Sequence, residues 1–201
     1  KEKRGGVVVG IVGCMAERLK DKLLDTHKVD LVAGPDSYRT LPALLRDIAP
    51  DKPQINVMLS HEETYADIVP VRTDRNGVSA FISIMRGCNN VWSYCVVPCT
   101  RGEERCRDPK TMVDEARDVF SKGYKEVTLL GQNVDSYNWN PEDGQGCDFP
   151  DLLEMVAGIS PELRVRFATN HPKDISDKLI DTMAKYANIC EHIHLPVQSG
   201  S

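Results

Sequence analysis

Apolar and polar residues follow one another in blocks along the chain, and these blocks predict strands and helices in alternation. A continuous β-branched run over residues 7–12 is typical of a strand that is buried on both faces of a parallel sheet. The next blocks predict a helix over 16–25, a short strand over 30–33 and a second helix through Ile48, before a proline-containing stretch. Alternation of strand and helix indicates an α/β fold.

The stretch from residue 49 to residue 77 lacks this alternation. It is mainly polar and carries prolines, and its one apolar run, over 55–59, is short. We interpret residues 50–78 as a linker. The chain then consists of an N-terminal domain over 1–49 and a second domain over 79–201.

The second domain repeats a strand followed by a helix. The predicted strands cover 80–85, 126–130, 163–168 and 191–195, and the predicted helices cover 109–122, 151–159 and 175–186. A polar loop over 134–148 is long enough to have a functional role. Repeated βα units of this length predict a barrel or a wound sheet, and in a barrel the strand ends converge on one active face.

Amide, hydroxyl and imidazole side chains recur where these predicted strands end. They are Gln132, Asn133, Thr169, Asn170, His171, Gln198, Ser199 and Ser201. Taken singly, each amide or hydroxyl is more typical of a turn or a helix cap. Their recurrence at successive strand ends favours a pocket for a polar, zwitterionic cofactor. His192 and His194 would share a face of the last strand, but a closed zinc site needs four ligands.

Four of the seven cysteines lie in the loop after the strand predicted over 80–85, and they are Cys88, Cys95, Cys99 and Cys106. An odd number of cysteines, crowded in one loop, favours metal chemistry in a reducing compartment over a disulfide framework, so we expect a cytoplasmic protein. Cys14 follows the first predicted strand, where wound sheets place ligands. The alternative is that these cysteines are reduced side chains that pack as small hydrophobes.

The spacing of Cys88 and Cys95 resembles the C-x3-C-x2-C loop of radical S-adenosylmethionine (SAM) enzymes, whose three thiolates hold a 4Fe-4S cluster. The middle position of that loop is Trp92. Indole offers an N–H donor and no lone pair for iron, so Trp92 cannot replace a thiolate. Cys99 is the nearby thiol that could replace it. Tyr94 could stack on a purine ring or be buried.

Composition and net charge exclude few classes of protein. The chain has 201 residues, 41% of them apolar, and a net charge of −5, which is ordinary for a soluble globular protein and gives no general electrostatic case for nucleic acid. No apolar run is long enough to span a membrane. Arg101, Arg105 and Arg107 form either a solvated basic turn with Glu103 and Glu104 or a phosphate contact. Phosphate-loop, zinc-protease and esterase motifs are absent.

Six stretches of the chain resemble the MiaB-type tRNA methylthiotransferases. They are residues 84–90, 94–98, 100–102, 129–134, 171–174 and 194–201. The Leu-Gly-Gln-Asn-Val run over residues 130–134 is similar to the tRNA-modifying branch. The resemblance implies part of a flavodoxin-like N-terminal methylthiotransferase domain, followed by the first βα units of a radical SAM partial TIM barrel. It also implies that the chain is a piece of a longer protein.

The resemblance further implies an activity: adding a methylthio group to N6-isopentenyladenosine next to the tRNA anticodon. The implied cofactors are two 4Fe-4S clusters and SAM. The implied partners are the anticodon stem-loop of tRNA and an electron donor such as flavodoxin or ferredoxin. No membrane is expected as a partner. The implied metal ligands are Cys14, as the last of three N-terminal cluster cysteines, and Cys88, Cys95 and Cys99. The expected cofactor-binding residues are Tyr94, Gln132, Asn133, Asn170, Gln198 and Ser199.

The chain departs from the family pattern at several positions. Trp92 replaces the middle cluster cysteine, and Cys99 stands where the family has an aromatic residue. Glu103 stands where the family usually has Arg. Cys106 stands where the family has Ser, and Asn170 stands where it often has Ser. Loss of one thiolate predicts that the radical cluster is weakened or abolished, and with it the activity. Two alternatives are a pseudoenzyme or fragment that binds tRNA or a protein without chemistry, and a zinc module built from Cys88, Cys95, Cys99 and Cys106.

Overall fold

The computed structural model describes two compact units. Unit 1 consists of residues 1–63 and 87–104, and unit 2 of residues 64–86 and 105–201. The described residues are 7–27, 29–49, 52–68, 70–72, 77–141 and 144–197. Within these ranges, no helix has both the length and the apolar character needed to cross a membrane.

Strands and helices alternate over most of the described chain. The strands are β1 (Gly10–Val12), β2 (Leu31–Ala33), β3 (Gln54–Asn56), β4 (Ser79–Ser83), β5 (Met85–Arg86), β6 (Arg105–Cys106), β7 (Glu126–Leu130), β8 (Asn138–Trp139), β9 (Cys147–Asp148) and β10 (Arg164–Ala168). The helices are α1 (Cys14–Leu19), α2 (Asp21–His27), α3 (Leu41–Arg46), α4 (Val97–Arg101), α5 (Pro109–Ser121), α6 (Phe149–Ala157) and α7 (Asp177–Lys185). The α/β class predicted from the sequence is confirmed.

Unit 1 contains a three-stranded parallel sheet in the order β1-β2-β3. The central strand β2 is buried at each of its three positions. The prediction that residues 7–12 form a strand buried on both faces is wrong, because only Gly10–Val12 are paired and they lie at an edge of this sheet. Val8 and Val12 are accordingly about half exposed.

The helix predicted over 16–25 is interrupted. Lys20 has a φ of +48°, in the left-handed region, and this residue separates α1 from α2. The second predicted helix also differs, because its first turn is a 3₁₀ helix over Tyr38–Thr40 and α3 ends at Arg46, before the predicted end. Apolar periodicity alone did not reveal either break.

The range predicted as a linker contains a strand. β3 pairs in parallel with β2, with Ile55 opposite Val32, so the N-terminal sheet continues beyond residue 49. Ile55 and Val57 pack against the buried core of unit 1. The prediction that residues 50–78 are a linker must therefore be corrected. The short apolar run within this range forms the third strand of the N-terminal sheet and does not connect two domains.

Unit 2 contains a parallel sheet in the order β10-β7-β4, so that neighbours in the chain are neighbours in the sheet. β7 occupies the predicted range. Alternate residues of the three strands are buried, among them Ile82, Leu129 and Phe167, and they form one core with side chains of α5, α6 and α7. The βα units predicted from the sequence are confirmed for these three strands.

The fourth predicted strand, over 191–195, is wrong. The chain beside β10 forms a single parallel bridge between Val165 and Ile189 and then continues without strand pairing as far as residue 197. Further along, the backbone of His194 is held by Asn170, whose N–H donates to the His194 carbonyl at 2.9 Å. His192 and His194 therefore do not share a strand face, and the paired-histidine hypothesis loses its basis.

A partly buried carboxylate joins two arginines in unit 2. Glu115 on α5 accepts hydrogen bonds from Arg72 at 2.7 Å and from Arg107 at 3.0 Å. Arg107 also donates to the carbonyl of Ser83, and it is 6% exposed. The two sequence hypotheses for Arg107, a solvated turn and a phosphate contact, are therefore wrong.

We predict that Glu115→Ala lowers the free energy of unfolding by about 3 kcal/mol, because it leaves the buried guanidinium of Arg107 without its counter-charge. The matched control is the neighbouring Asp114→Ala, which removes an exposed ion pair with Arg117 and should cost less than about 1 kcal/mol. Urea unfolding followed by circular dichroism measures both. Equal losses in the two variants would contradict a stabilising role for the network around Glu115.

Candidate functional site

The cysteine loop of unit 1 is closed at its base by a close contact between backbones. Gly87 has a φ of +73°, and a Cβ atom at this position would lie 1.9 Å from the carbonyl oxygen of Glu103. The next residue, Cys88, donates its N–H to the carbonyl of Gly102 at 3.2 Å. Because a side chain at position 87 would collide with the facing backbone, glycine is required there.

The three thiols of the loop differ in their surroundings. Cys88 is 8% exposed, and its Sγ accepts the N–H of Asn90 at 3.4 Å. Cys95 is partly exposed, and its N–H donates to the carbonyl of Trp92 at 2.9 Å. Cys99 is exposed on α4. The loop therefore presents two thiols outside the core and buries the third.

Trp92 stands between Cys88 and Cys95 and packs beside Tyr94. The two ring centroids are 5.6 Å apart, with an angle of 42° between the ring planes. Tyr94 is 66% exposed, which excludes the alternative that it is buried. The aromatic character of this segment follows directly from the sequence, but the contact between the two rings does not.

The residues of the loop do not fit a cluster held by three thiolates. Among the described residues, no three His, Cys, Asp or Glu side chains are grouped so that they could bind a metal ion. Trp92 has no lone pair for iron, and Cys99 does not complete such a group. The zinc module gains no support either, because no three of its four cysteines are grouped in this way among the described residues.

Cys14 begins α1, directly after Gly13, and it has a cationic partner. The Nε–H of Arg101 donates to the Sγ of Cys14 at 3.2 Å. Arg101 lies at the end of α4, so this hydrogen bond joins the first helix of unit 1 to the cysteine loop. Sulfur ligands of iron–sulfur clusters commonly accept such hydrogen bonds, so the surroundings of this single thiol suit a ligand. No pattern in the sequence predicts this contact.

In unit 2, the loops after β7 and β10 are joined by amide and carboxylate groups. The Nδ2 of Asn133 donates to Asp174 at 2.7 Å, and the Nδ2 of Asn170 donates to Asp135 at 2.6 Å. Asp135 also accepts the backbone N–H of His171 at 2.9 Å. Two of the predicted cofactor-binding residues are thus brought together, each with a carboxylate partner.

Asp135 has an unusual environment for a carboxylate. Burial raises its pKa above the ordinary value, because removal from water disfavours the charged form, while the hydrogen bonds from His171 and Asn170 act in the opposite direction. Sequence reasoning missed Asp135 and the role of Asp174. The available signal was an acidic residue close to each predicted strand end, but only the folded structure pairs them with the amides.

The predicted cofactor-binding residues are placed as follows. Asn133 and Asn170 are buried, and Gln132 is partly exposed after β7. Tyr94 belongs to unit 1, whereas these three amides belong to unit 2. Gln198 and Ser199 lie outside the described residues. Binding of a cofactor by any of these side chains stays a prediction.

Comparison with known proteins gives matches over the whole chain. Residues 82–201 match the family model of the radical SAM superfamily. The chain is 57% identical, over 212 aligned positions, to a protein of Amoebophilus asiaticus named tRNA-2-methylthio-N(6)-dimethylallyladenosine synthase, and 54% identical to a protein of the same name from Bacteroides fragilis. Both alignments cover 100% of this chain and 44% of the relative, so the chain spans less than half of these proteins.

One solved structure with a weaker similarity is the radical SAM methyltransferase TsrM from Kitasatospora setae, with cobalamin and a [4Fe-4S] cluster bound. It is 17% identical, with a TM-score of 0.44, and the match covers 57% of this chain and 21% of the other.

We predict that Gly87→Ala destabilises the chain more than Gly77→Ala does. Both glycines have positive φ, but a Cβ at Gly77 meets no atom within 4 Å, so that variant should cost about 1–2 kcal/mol for the left-handed backbone alone. At Gly87 the added Cβ would also collide with the carbonyl oxygen of Glu103, so the backbone must move. This movement should open the base of the loop and make the thiol of Cys88 more reactive toward alkylation. Urea unfolding and mass-spectrometric mapping of alkylated cysteines measure the two effects. Equal destabilisation, with unchanged alkylation of Cys88, would contradict the closed loop.

Proposed function

The chain belongs to the radical SAM superfamily, and from this membership we propose that it is part of a tRNA methylthiotransferase. The proposed reaction adds a methylthio group to N6-isopentenyladenosine next to the tRNA anticodon. The observation that carries the proposal is the identity of 54–57% to the two named synthases over the full length of the chain. The aligned region includes the segments that hold the candidate site.

We propose the following architecture. Unit 1 contains part of a flavodoxin-like N-terminal domain, and the sheet of unit 2 forms the first βα units of a partial TIM barrel. Parallel pairing of β1, β2 and β3 supports the first assignment. The order of β4, β7 and β10, in which consecutive strands are adjacent, supports the second, because a barrel is built in this way.

We propose two 4Fe-4S clusters and SAM as the cofactors of this family function. Cys14 is the proposed ligand in this chain for the N-terminal cluster, with Arg101 donating to its sulfur. The proposed partners are the anticodon stem-loop of tRNA and an electron donor such as flavodoxin or ferredoxin, and the proposed compartment is the cytoplasm.

Amides after β7 and β10 are the proposed binding groups for the amino acid part of SAM. Gln132, Asn133 and Asn170 offer both donors and acceptors, as a zwitterion requires. Asp174 and Asp135 accept hydrogen bonds from Asn133 and Asn170 and so fix the orientation of these amides. We propose that these two carboxylates position the amides rather than contact the cofactor.

Trp92 gives the proposal a second part: the chain is impaired as a radical enzyme. Cys88 and Cys95 supply two thiolates where the family uses three, and the described residues contain no group of three metal ligands. The same observation supports the second candidate function, a pseudoenzyme that retains the fold and binds tRNA or a partner protein without chemistry.

We predict that Trp92→Cys gains a 4Fe-4S cluster that wild type lacks, because the third thiolate is restored. Each protein is reconstituted anaerobically with iron and sulfide, reduced, and examined by electron paramagnetic resonance with and without SAM. The variant should show a cluster signal that SAM perturbs. Trp92→Ser is the matched control, since it removes the indole and adds no sulfur.

The outcomes separate the candidate functions. A stoichiometric, SAM-perturbed signal in wild type would refute impairment, and its absence from Trp92→Cys would count against the methylthiotransferase assignment. Metal analysis after anaerobic purification adds a second test, because iron favours the enzyme, a colourless protein free of metal favours the pseudoenzyme, and zinc alone favours a zinc module.

A further inference from the structure

Two loops and one further segment of unit 2 meet at the side chain of Asn170, which is 3% exposed. The Nδ2 of this residue donates to Asp135, in the loop after β7, at 2.6 Å. Its Oδ1 accepts the backbone N–H of His194 at 3.2 Å, and its own backbone N–H donates to the His194 carbonyl at 2.9 Å. One amide thus links the loops after β7 and β10 to the segment of residues 194–197.

The partners of Asn170 fix the direction in which its amide points. An ionised carboxylate only accepts hydrogen bonds, and Asp135 accepts one at each oxygen, from Asn170 and from the backbone N–H of His171. An amide has one donor end and one acceptor end. Because Asp135 requires the donor end, the acceptor end faces the N–H of His194. The polarity of the hydrogen bonds is therefore passed from Asp135 through Asn170 to the backbone of His194.

We propose that Asp135 is a positioning residue for the segment of residues 194–197 and that it acts through the amide of Asn170. This role goes beyond orienting Asn170, because it extends to a third part of the site. Its relevance to SAM rests on the proposed function, since the expected cofactor-binding residues Gln198 and Ser199 follow this segment in the sequence.

Hydrogen exchange of the His194 amide, followed by nuclear magnetic resonance, tests this relay. His194 is exposed, so its N–H should exchange readily once the bond to Asn170 is lost. Asp135→Asn presents a donor to Asn170, whose amide must either lose this contact or turn its own donor toward the N–H of His194. Exchange should accelerate about fivefold, as expected for the loss of one hydrogen bond.

The matched control for this measurement is Asp181→Asn. It makes the same chemical change at an exposed position of α7, and it should leave the exchange rate of His194 unchanged. Circular dichroism of every variant distinguishes loss of the relay from loss of the fold.

Exchanging the two side chains should restore the relay. In the double variant Asp135→Asn with Asn170→Asp, the new amide donates to the new carboxylate and accepts the N–H of His171. The second carboxylate oxygen then accepts the N–H of His194. Exchange of His194 should return to within about twofold of wild type. If Asp135 only filled space, a second substitution would not reverse the effect of the first.

Asn170→Ala tests whether Asp135 acts through this amide. The variant removes the acceptor of the His194 N–H, so it should accelerate exchange as much as Asp135→Asn does. Adding Asp135→Asn to Asn170→Ala should then have no further effect, because the relay is already interrupted.

Equilibrium dialysis with SAM connects the relay to the proposed function. Wild type and the exchanged double variant should bind SAM with equal affinity, and Asp135→Asn should bind it about fivefold more weakly. Equal affinity of wild type and Asp135→Asn, despite altered exchange at His194, would overturn the connection to the cofactor.

Three results would overturn the relay itself. They are unchanged exchange of His194 in Asp135→Asn, failure of the double variant to restore it, and further acceleration when Asp135→Asn is added to Asn170→Ala. Failure of the proposed function gives a different result, because wild type would then not bind SAM while the exchange pattern at His194 followed the relay.

Discussion

Parallel pairing around β7 is the constraint on which unit 2 depends. β7 is in register with β4 on one side and β10 on the other, and its alternate residues Val127 and Leu129 are fully buried. Because parallel strands run in one direction, the loops that follow them leave from one edge of the sheet. Asn133 and Asn170 lie in two of these loops, and carboxylates from each loop hold the amide of the other.

Local signals explain why most of unit 2 could be predicted from sequence. Its strands are short apolar runs, and its helices begin at capping residues, with Asp108 and Ser176 accepting backbone N–H groups at the start of α5 and α7. Unit 1 was harder to predict from sequence, because strand pairing and not amino-acid composition determines which of its strands is central. The run over 7–12 is strongly apolar and lies at an edge, whereas β3 is hidden in a polar, proline-containing stretch.

The same distinction applies to the candidate site: some of its features depend on residues close in sequence, and others depend on contacts between residues far apart in sequence. Cysteine spacing is local, so the loop and its departure at Trp92 could be recognised from the sequence. The hydrogen bond from Arg101 to Cys14 joins residues 87 positions apart, and that from Asn133 to Asp174 joins residues 41 positions apart. No pattern in a single sequence indicates contacts of this kind, since they arise only when the strands and helices pack.

Backbone interactions close the cysteine loop at two places. Gly87 and Gly102 close its base, and a turn fixes the segment from Trp92 to Cys95. Neither interaction uses a thiol, so a change at position 92 can remove a metal ligand without removing the loop. Loss of metal chemistry and loss of structure are therefore separable in this chain.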